Sequence, residues 1–325
     1  MSALVSVIIP TYKRAGIVTR AIESVLAQTH RPIELIVVND GSPDDTAQVL
    51  SALEPRVRAA GAEPRFINKQ NGGAASARNA GLRVATGEFT AFLDDDDLWQ
   101  PQKLEKQLAA MAAEEADACC CFVSRHGGRH SRSPADESNL LRGHDAARFV
   151  SRAAYAHITS LVIKASVQAR VGEFDESLRV YEDEEWKARL VHEAKFCAVP
   201  EELATYTFSE QSLTRFDGAE AAAGRDRDFL HHLDLIRERC KDRPGFSEQA
   251  WKERAAHVYD ECAKHLLYAG KLKDARMLAQ RALEICGPIM ALPKLKMKLR
   301  KAWWLSWIGL KPRHPKLKRG EGLRG

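Results

Sequence analysis

Four consecutive carboxylates, Asp94-Asp95-Asp96-Asp97, follow the apolar run Ala91-Phe92-Leu93 and are themselves followed by Leu98-Trp99. Adjacent acids repel one another, and no apolar core solvates them. A hard divalent cation does, because it takes oxygen ligands and neutralises the cluster. Residues Glu88 to Leu93 read as a buried strand, so the acids sit where that strand leaves its sheet. A cation held there is well placed to hold a phosphate. Taken alone, the cluster has a plainer alternative, a solvated acidic turn.

Three other places carry similar chemistry. Asp40 closes a second apolar run, and Gly41 permits a tight turn after it. A carboxylate there can accept a hydrogen bond from a base or a ribose, or it can cap a helix. The stretch Gly72-Gly73-Ala74-Ala75-Ser76-Ala77-Arg78-Asn79-Ala80-Gly81 sets small residues at a helix start. A ligand can approach such a backbone, and a helix N-terminus favours phosphate; Arg78 adds a charge one turn in. No Lys-Ser/Thr pair follows the glycines, so this is not the nucleotide-binding P-loop. In Tyr181-Glu182-Asp183-Glu184-Glu185-Trp186, acids at a helix start suit the helix dipole, but four exceed what a cap requires. One of them could serve as general base on a hydroxyl.

The elements that must position these groups alternate regularly. Val5 to Ile9, Ile33 to Val38, Arg65 to Asn68 and Phe89 to Leu93 read as strands; Ile17 to Leu26, Asp44 to Leu53 and Ala74 to Val84 read as helices. Strand and helix in turn at this spacing imply crossover units and a mostly parallel sheet. Ligands of such sheets bind at the carboxyl ends of the strands, where all the polar loops fall. Further on, Cys119 to Val123 and Ile158 to Ile163 read as strands. Val171 to Asp175 reads as a turn, Glu182 to His192 as a helix, and His126 to Asn139 as a mobile loop. Beyond Asp217 the pattern is helical. Tyr268 to Leu283 resembles one tetratricopeptide-type hairpin, for which an ordinary helical hairpin is the simpler reading.

Composition bounds the class. The 325 residues are 45% hydrophobic and 29% charged, which suits a soluble globular protein. The N-terminus lacks the features of a signal peptide, and no apolar run reaches the roughly eighteen residues of a membrane span. Seven cysteines, three of them consecutive (Cys119 to Cys121), form no CxxC pair; core thiols in a reducing compartment are expected. The net charge of +5 is uneven. From Lys294 onward there are eleven Lys or Arg and one acid, Glu321, while the rest of the chain is net negative.

Six motifs in order carry a resemblance. They are Val7-Ile8-Ile9-Pro10-Thr11-Tyr12, Val37-Val38-Asn39-Asp40-Gly41-Ser42, Ala77-Arg78-Asn79-Ala80-Gly81, Phe92-Leu93-Asp94-Asp95-Asp96-Asp97, Gly172-Glu173-Phe174-Asp175 and Glu182-Asp183. Over about residues 4 to 215 the chain resembles a family 2 glycosyltransferase of the GT-A fold. That implies an α/β architecture: a Rossmann-like, mostly parallel sheet flanked by helices. A helical region (216–287) and a basic tail (288–325) would follow a domain spanning 1–215. The resemblance further implies nucleotide binding by Pro10, Thr11, Tyr12, Arg14, Asp40, Arg78 and Asp95, with Asp40 accepting the imide hydrogen of uracil. Asp94 and Asp96 would form the Asp-x-Asp pair that binds Mg²⁺ or Mn²⁺. Asp183 would be the catalytic base of an inverting transfer from a nucleotide-sugar donor, typically a UDP-sugar. Asp97, Trp99, His157, Glu182 and Trp186 are candidate donor or acceptor contacts.

The chain departs from the pattern in two places. Where many relatives carry a histidine near the metal, Ser209 stands; water, Glu210 or a distant histidine would then complete the site. Glu185-Trp186-Lys187 replaces an acid followed by apolar residues, a change in packing or acceptor contacts. In the tail, Trp303, Trp304 and Trp307 lie among basic residues. That pattern favours peripheral contact with an anionic membrane over docking on the body or a nucleic-acid patch. The expectation is a cytoplasmic enzyme at the inner face of the membrane. Its acceptor would be a glycan or a lipid-linked glycan, as in cell-surface polysaccharide biosynthesis, and no nucleic-acid partner is expected. The alternatives are a non-catalytic sugar-nucleotide-binding scaffold of this fold, or a nucleotidyltransferase. The latter would carry a Gly-rich loop where Thr11-Tyr12-Lys13-Arg14 stands.

Overall fold

The computed structural model describes residues 2–126, 136–207, 219–287 and 297–301. The chain divides into two compact units, residues 1–149 with 153–209, and residues 150–152 with 210–325.

The first unit is built on one sheet. Its elements in order are β1 (Val5–Thr11), α1 (Ala15–Leu26), β2 (Ile33–Asn39), α2 (Thr46–Ala59), β3 (Ala62–Asn68), α3 (Gly73–Val84), β4 (Phe89–Phe92) and β5 (Leu98–Trp99). There follow α4 (Lys103–Ala113), β6 (Ala118–His126), α5 (Ala146–Val150), β7 (Val162–Lys164), α6 (Ala165–Val171), α7 (Glu182–Glu193) and β8 (Phe196–Thr207). The strand order is β3-β2-β1-β4-β7-β6-β8-β5. Strands β1 to β4 pair in parallel, as do β6 and β8, whereas β7 and β5 run against their neighbours. Every residue of β1 and β2 is buried, as a sheet covered on both faces requires. Helix α1 supplies part of that cover through Val18, Ala21, Ile22 and Val25.

Parallel pairing brings the strand ends to one edge. Thr11 lies opposite Asn39 and Asn39 opposite Asn68, so β1, β2 and β3 stop together. The Leu93 N–H bonds the Ile8 carbonyl and carries β4 to the same edge. Gly81 lets α3 come down on β1: a Cβ there would lie 2.6 Å from Ile8 Cγ2.

Two sequence expectations change. The strand expected over Ile158 to Ile163 begins only at Val162, because Ile158–Ser160 is a 3₁₀ turn. The His157 ring accepts the Thr159 N–H, a local bond that favours a turn over extended chain. Helix α2 runs past Leu53 to Ala59, through Pro55, and buries Val57. Of the loop expected over His126 to Asn139, residues 127–135 lie outside the described residues, and Glu137–Asn139 is a 3₁₀ turn capped by Asp136. All seven cysteines are free and buried.

The second unit is helical: α8 (Ala219–Cys240), α9 (Glu248–Tyr268) and α10 (Leu272–Cys286). Helix α10 buries Ala275, Ala279, Ala282 and Cys286, one stripe at helical spacing. Among the described residues no helix is long and apolar enough to cross a membrane.

Candidate active site

The site grows from the strand ends. After β4, the Asp97 N–H closes a turn on the Asp94 carbonyl at 3.0 Å, folding the four acids back on themselves. Their side chains then go to different places. Asp94 meets Arg78 of α3 at 2.8 Å. Asp95 meets Arg14 at 2.9 Å, and the same guanidinium also bonds Asp96. Asp97 is fully buried and accepts the Thr207 N–H at 3.0 Å, pinning the loop to the end of β8.

The electrostatics follow from this crowding. Burial works against the charge of Asp94, but Arg78, with His157 and Arg14 behind it, outweighs that and holds the carboxyl below its usual range. Burial pushes Asp95 up to about 7, against Arg14. Asp96 is raised by burial, with Asp94 adding to the shift and Arg14 opposing it. Burial and the neighbouring Asp94 push Asp97 up to about 9.

Arg78 is a buried strut, only 4% exposed. One end of its guanidinium holds Asp94 and the other holds Glu182 at 2.8 Å, joining the β4–β5 loop to the start of α7. The Gly172-Glu173-Phe174 turn is fixed from both sides. Asn79 of α3 exchanges two bonds with the Phe174 backbone, at 2.8 and 2.9 Å. Arg189 of α7 reaches the Val171 and Glu173 carbonyls, and Trp186 Nε1 donates to the Gly172 carbonyl at 2.9 Å. The Trp186 ring stacks on Phe174 at 4.7 Å and meets Phe92 edge-on.

Helix α7 therefore presents its first turn to the acids of the β4–β5 loop. Asp183 keeps 27% of its side chain exposed and pairs with Lys187 at 2.9 Å. His157 enters from the segment before β7; burial lowers its pKa, while the charges of Asp94, Asp183 and Glu184 act to raise it. Its ring lies 5.3 Å from that of Tyr206. Backbone strain brackets the site. Lys13, between Tyr12 and Arg14, has φ +56°, and Tyr181, just before Glu182, has φ +65°. Non-glycine residues keep such angles where surrounding structure enforces them, commonly at functional sites.

The other residues singled out in the sequence fall as follows. Pro10 and Thr11 are the buried end of β1, and Tyr12 is 40% exposed beyond it. Asp40 accepts the N–H groups of Gly72 (3.0 Å) and Gly73 (2.7 Å) and pairs with Lys69 at 2.7 Å. It thus holds the N-terminus of α3. Gly41, at φ +73°, is the residue that lets this loop pass Asn71, whose nitrogen would be 2.7 Å from a Cβ. Three of the expected donor or acceptor contacts are buried in the structure. Trp99 is a core residue whose Nε1 donates to the Thr159 carbonyl. Trp186 is wholly buried against Phe174, and Asp97 is sealed beneath the loop. The two tryptophan N–H groups are satisfied inside the fold, whereas Asp97 keeps one buried oxygen, Oδ2, without a hydrogen-bond partner among the described residues. Ser209, Glu210 and the tail tryptophans lie outside the described residues. Sequence reading gave Lys187 no role beyond a change in packing or acceptor contacts and missed the structural role of Asn79; the Asp183–Lys187 spacing of four was the available signal.

Asp94 and Asp96 suit a hard cation. They are two neighbouring, partly exposed carboxylates that repel each other, with one guanidinium bonded to each. Among the described residues no cluster of three His, Cys, Asp or Glu could hold a metal. Mg²⁺ is commonly held in this way, by one or two carboxylates with phosphate oxygens and water completing its shell.

Comparison with known proteins agrees with this geometry. Residues 6–161 match the sequence model of Glycosyl transferase family 2. An Escherichia coli protein, the UDP-Glc:alpha-D-GlcNAc-diphosphoundecaprenol beta-1,3-glucosyltransferase WfgD, is 41% identical over 109 residues, 33% of this chain and 41% of that protein. The structure of Staphylococcus aureus TarS 1–349 in complex with UDP superposes with a TM-score of 0.62 at 16% identity, over 98% of this chain and 95% of that one. The mannosyltransferase PcManGT from Pyrobaculum calidifontis, in complex with GDP-Man and Mn²⁺, superposes at 0.62 and 18% identity, over 96% and 84%. At these identities the structural matches speak for the fold. The first unit carries a glycosyltransferase family 2 domain over residues 6–161, with the GT-A fold. The chain spans between 15% and 57% of the length of the first curated relatives it matches.

Proposed function

We propose that this chain transfers a single sugar from a nucleotide-diphosphate donor, a UDP-sugar, to a hydroxyl of a glycan or lipid-linked acceptor, with inversion and with a divalent metal. The observation that carries this reading is the meeting of the Asp94–Asp96 pair with Arg14, Arg78 and the exposed Asp183 at one edge of the sheet. WfgD is named for a UDP-sugar donor and a lipid-linked acceptor, which supports both halves of the proposal.

The chain's own residues would act as follows. Tyr12, exposed beyond β1, lies beside the nucleotide. Arg14 supplies positive charge next to the diphosphate, and Arg78 keeps Asp94 and Glu182 in place. Asp94 and Asp96 would hold Mg²⁺ or Mn²⁺, which when bound offsets the charge of the leaving nucleoside diphosphate. Asp183 takes the proton of the acceptor hydroxyl as its oxygen attacks the anomeric carbon from the face opposite the leaving group. One carboxylate suffices for that proton transfer, and the configuration inverts. His157, beside Asp183, borders the acceptor side. The setting would be cell-surface polysaccharide biosynthesis at the inner face of the cytoplasmic membrane, with the basic tail touching anionic lipid.

The test is Asp183→Asn. Transfer from a UDP-sugar should fall by at least about 10³-fold while UDP binding persists, since only transition-state proton transfer is removed. Loss of binding together with transfer would assign Asp183 a structural role instead.

A further inference from the structure

Lys187 lies one turn beyond Asp183 on α7, and only 4% of its side chain is exposed. Its ammonium meets Asp183 Oδ2 at 2.9 Å, Glu184 Oε1 at 2.7 Å and the Ala156 carbonyl at 3.0 Å. The contacts to Glu184 and Ala156 are hydrogen bonds, and the contact to Asp183 is an ion pair. Two acceptors belong to its own helix. The third belongs to the segment that leads directly into His157. Burying an ammonium is costly unless it is paired. Burial pulls this one down, but Asp183 and Glu184 outweigh it and hold Lys187 above the usual lysine range, so it stays a cation. The other buried positions of α7 hold apolar residues, such as Trp186, Ala188 and Leu190, or charged ones that are paired, Glu182 with Arg78 and Glu185 with Arg189. A lysine in that company is explained by what its charge touches.

We infer that Lys187 is a positioning residue for the transfer: its ammonium fixes the orientation of the Asp183 carboxylate and ties α7 to the segment carrying His157. This rests on the reading of Asp183 as the base. Among the described residues, Lys187 is the cation paired with Asp183.

The experiment uses the full chain with Lys187→Met, Lys187→Gln and Lys187→Arg. Folding is checked by thermal unfolding and by the shift that UDP with Mn²⁺ produces. Turnover of UDP-Glc, UDP-GlcNAc and GDP-Man is then measured. The neutral variants should lose about ten-fold or more in kcat, with donor KM within about two-fold, because orientation and not donor binding is impaired. Lys187→Arg keeps the cation and should restore most of kcat. Folded neutral variants with unchanged kcat would overturn the proposal, as would a loss in kcat that Lys187→Arg shares in full. Turnover that survives in Asp183→Asn would remove the base reading instead.

Discussion

Each acid at the start of α7 is paired with a cation: Glu182 has Arg78, Asp183 and Glu184 share Lys187, and Glu185 has Arg189. A row of four carboxylates is tolerable because three buried cations answer it. Arg78 is the most committed of these, since Asp94 and Glu182 both depend on it. Arg78→Ala strands two carboxylates at a nearly dry site, and breaking a buried ion pair costs ~3–5 kcal/mol. Urea unfolding should register that loss, with Arg78→Lys restoring only part because one ammonium cannot span both acids. A loss below about 1 kcal/mol, the level of an exposed pair, would show the strut to be idle. At this scale the sequence was partly legible. Residue types at a strand end marked Asp94 and Asp96, and those at a helix start marked Asp183. Asp40, Trp99 and Asp97 carried the same signals, but the first caps a helix and the others are buried. Chemistry-bearing residues do structural work wherever a backbone N–H or a carbonyl lies closer than a ligand.

The elements hold the site through contacts that cross the sheet. Helix α4 contains the least comfortable of them. Its first residue, Lys103, is fully buried, and its ammonium has no hydrogen-bond partner among the described residues. It lies 4.0 Å above the centre of the Trp99 ring, a cation–π contact. A cation at a helix N-terminus also opposes the helix dipole. Burial lowers its pKa to about 8. In the unfolded chain the group titrates near 10.4. The unfolded state therefore binds more protons between those values, and stability rises with pH across the window. Below pH 8 the cost of the buried cation is present in full. Lys103→Met should accordingly stabilise the fold, by up to ~3 kcal/mol at pH 7 from the size of the shift, with the gain shrinking as pH passes 8 toward 10. Denaturant melts of both proteins at two pH values check this; a gain that grows with pH would contradict it. The alternation of strands and helices over the first hundred residues was readable because hydrophobic period and turn residues agree there. The two-residue β5 and the 3₁₀ turn at Ile158–Ser160 were not, because local side-chain bonds and long-range pairing decide them.

At the scale of the molecule, the chain joins a transferase-fold unit to a helical unit and ends in a basic, tryptophan-bearing tail. The sequence beyond Lys294 carries a surplus of ten positive charges. If it meets anionic lipid, the full chain should float with anionic liposomes and a chain ending at residue 287 should not, with added salt weakening the association. Equal soluble fractions would refute membrane contact and leave the transferase site untouched. That site is the central claim, and nucleotide binding tests it most directly. A ligand that binds only the native state raises its melting temperature by mass action. The decisive measurement is the thermal shift given by UDP with and without Mn²⁺ in the wild type, Asp96→Ala and Asp183→Asn. The account predicts a shift that needs Mn²⁺, disappears in Asp96→Ala and survives in Asp183→Asn. No shift with UDP or any other nucleoside diphosphate, or a shift indifferent to Asp96, would contradict it.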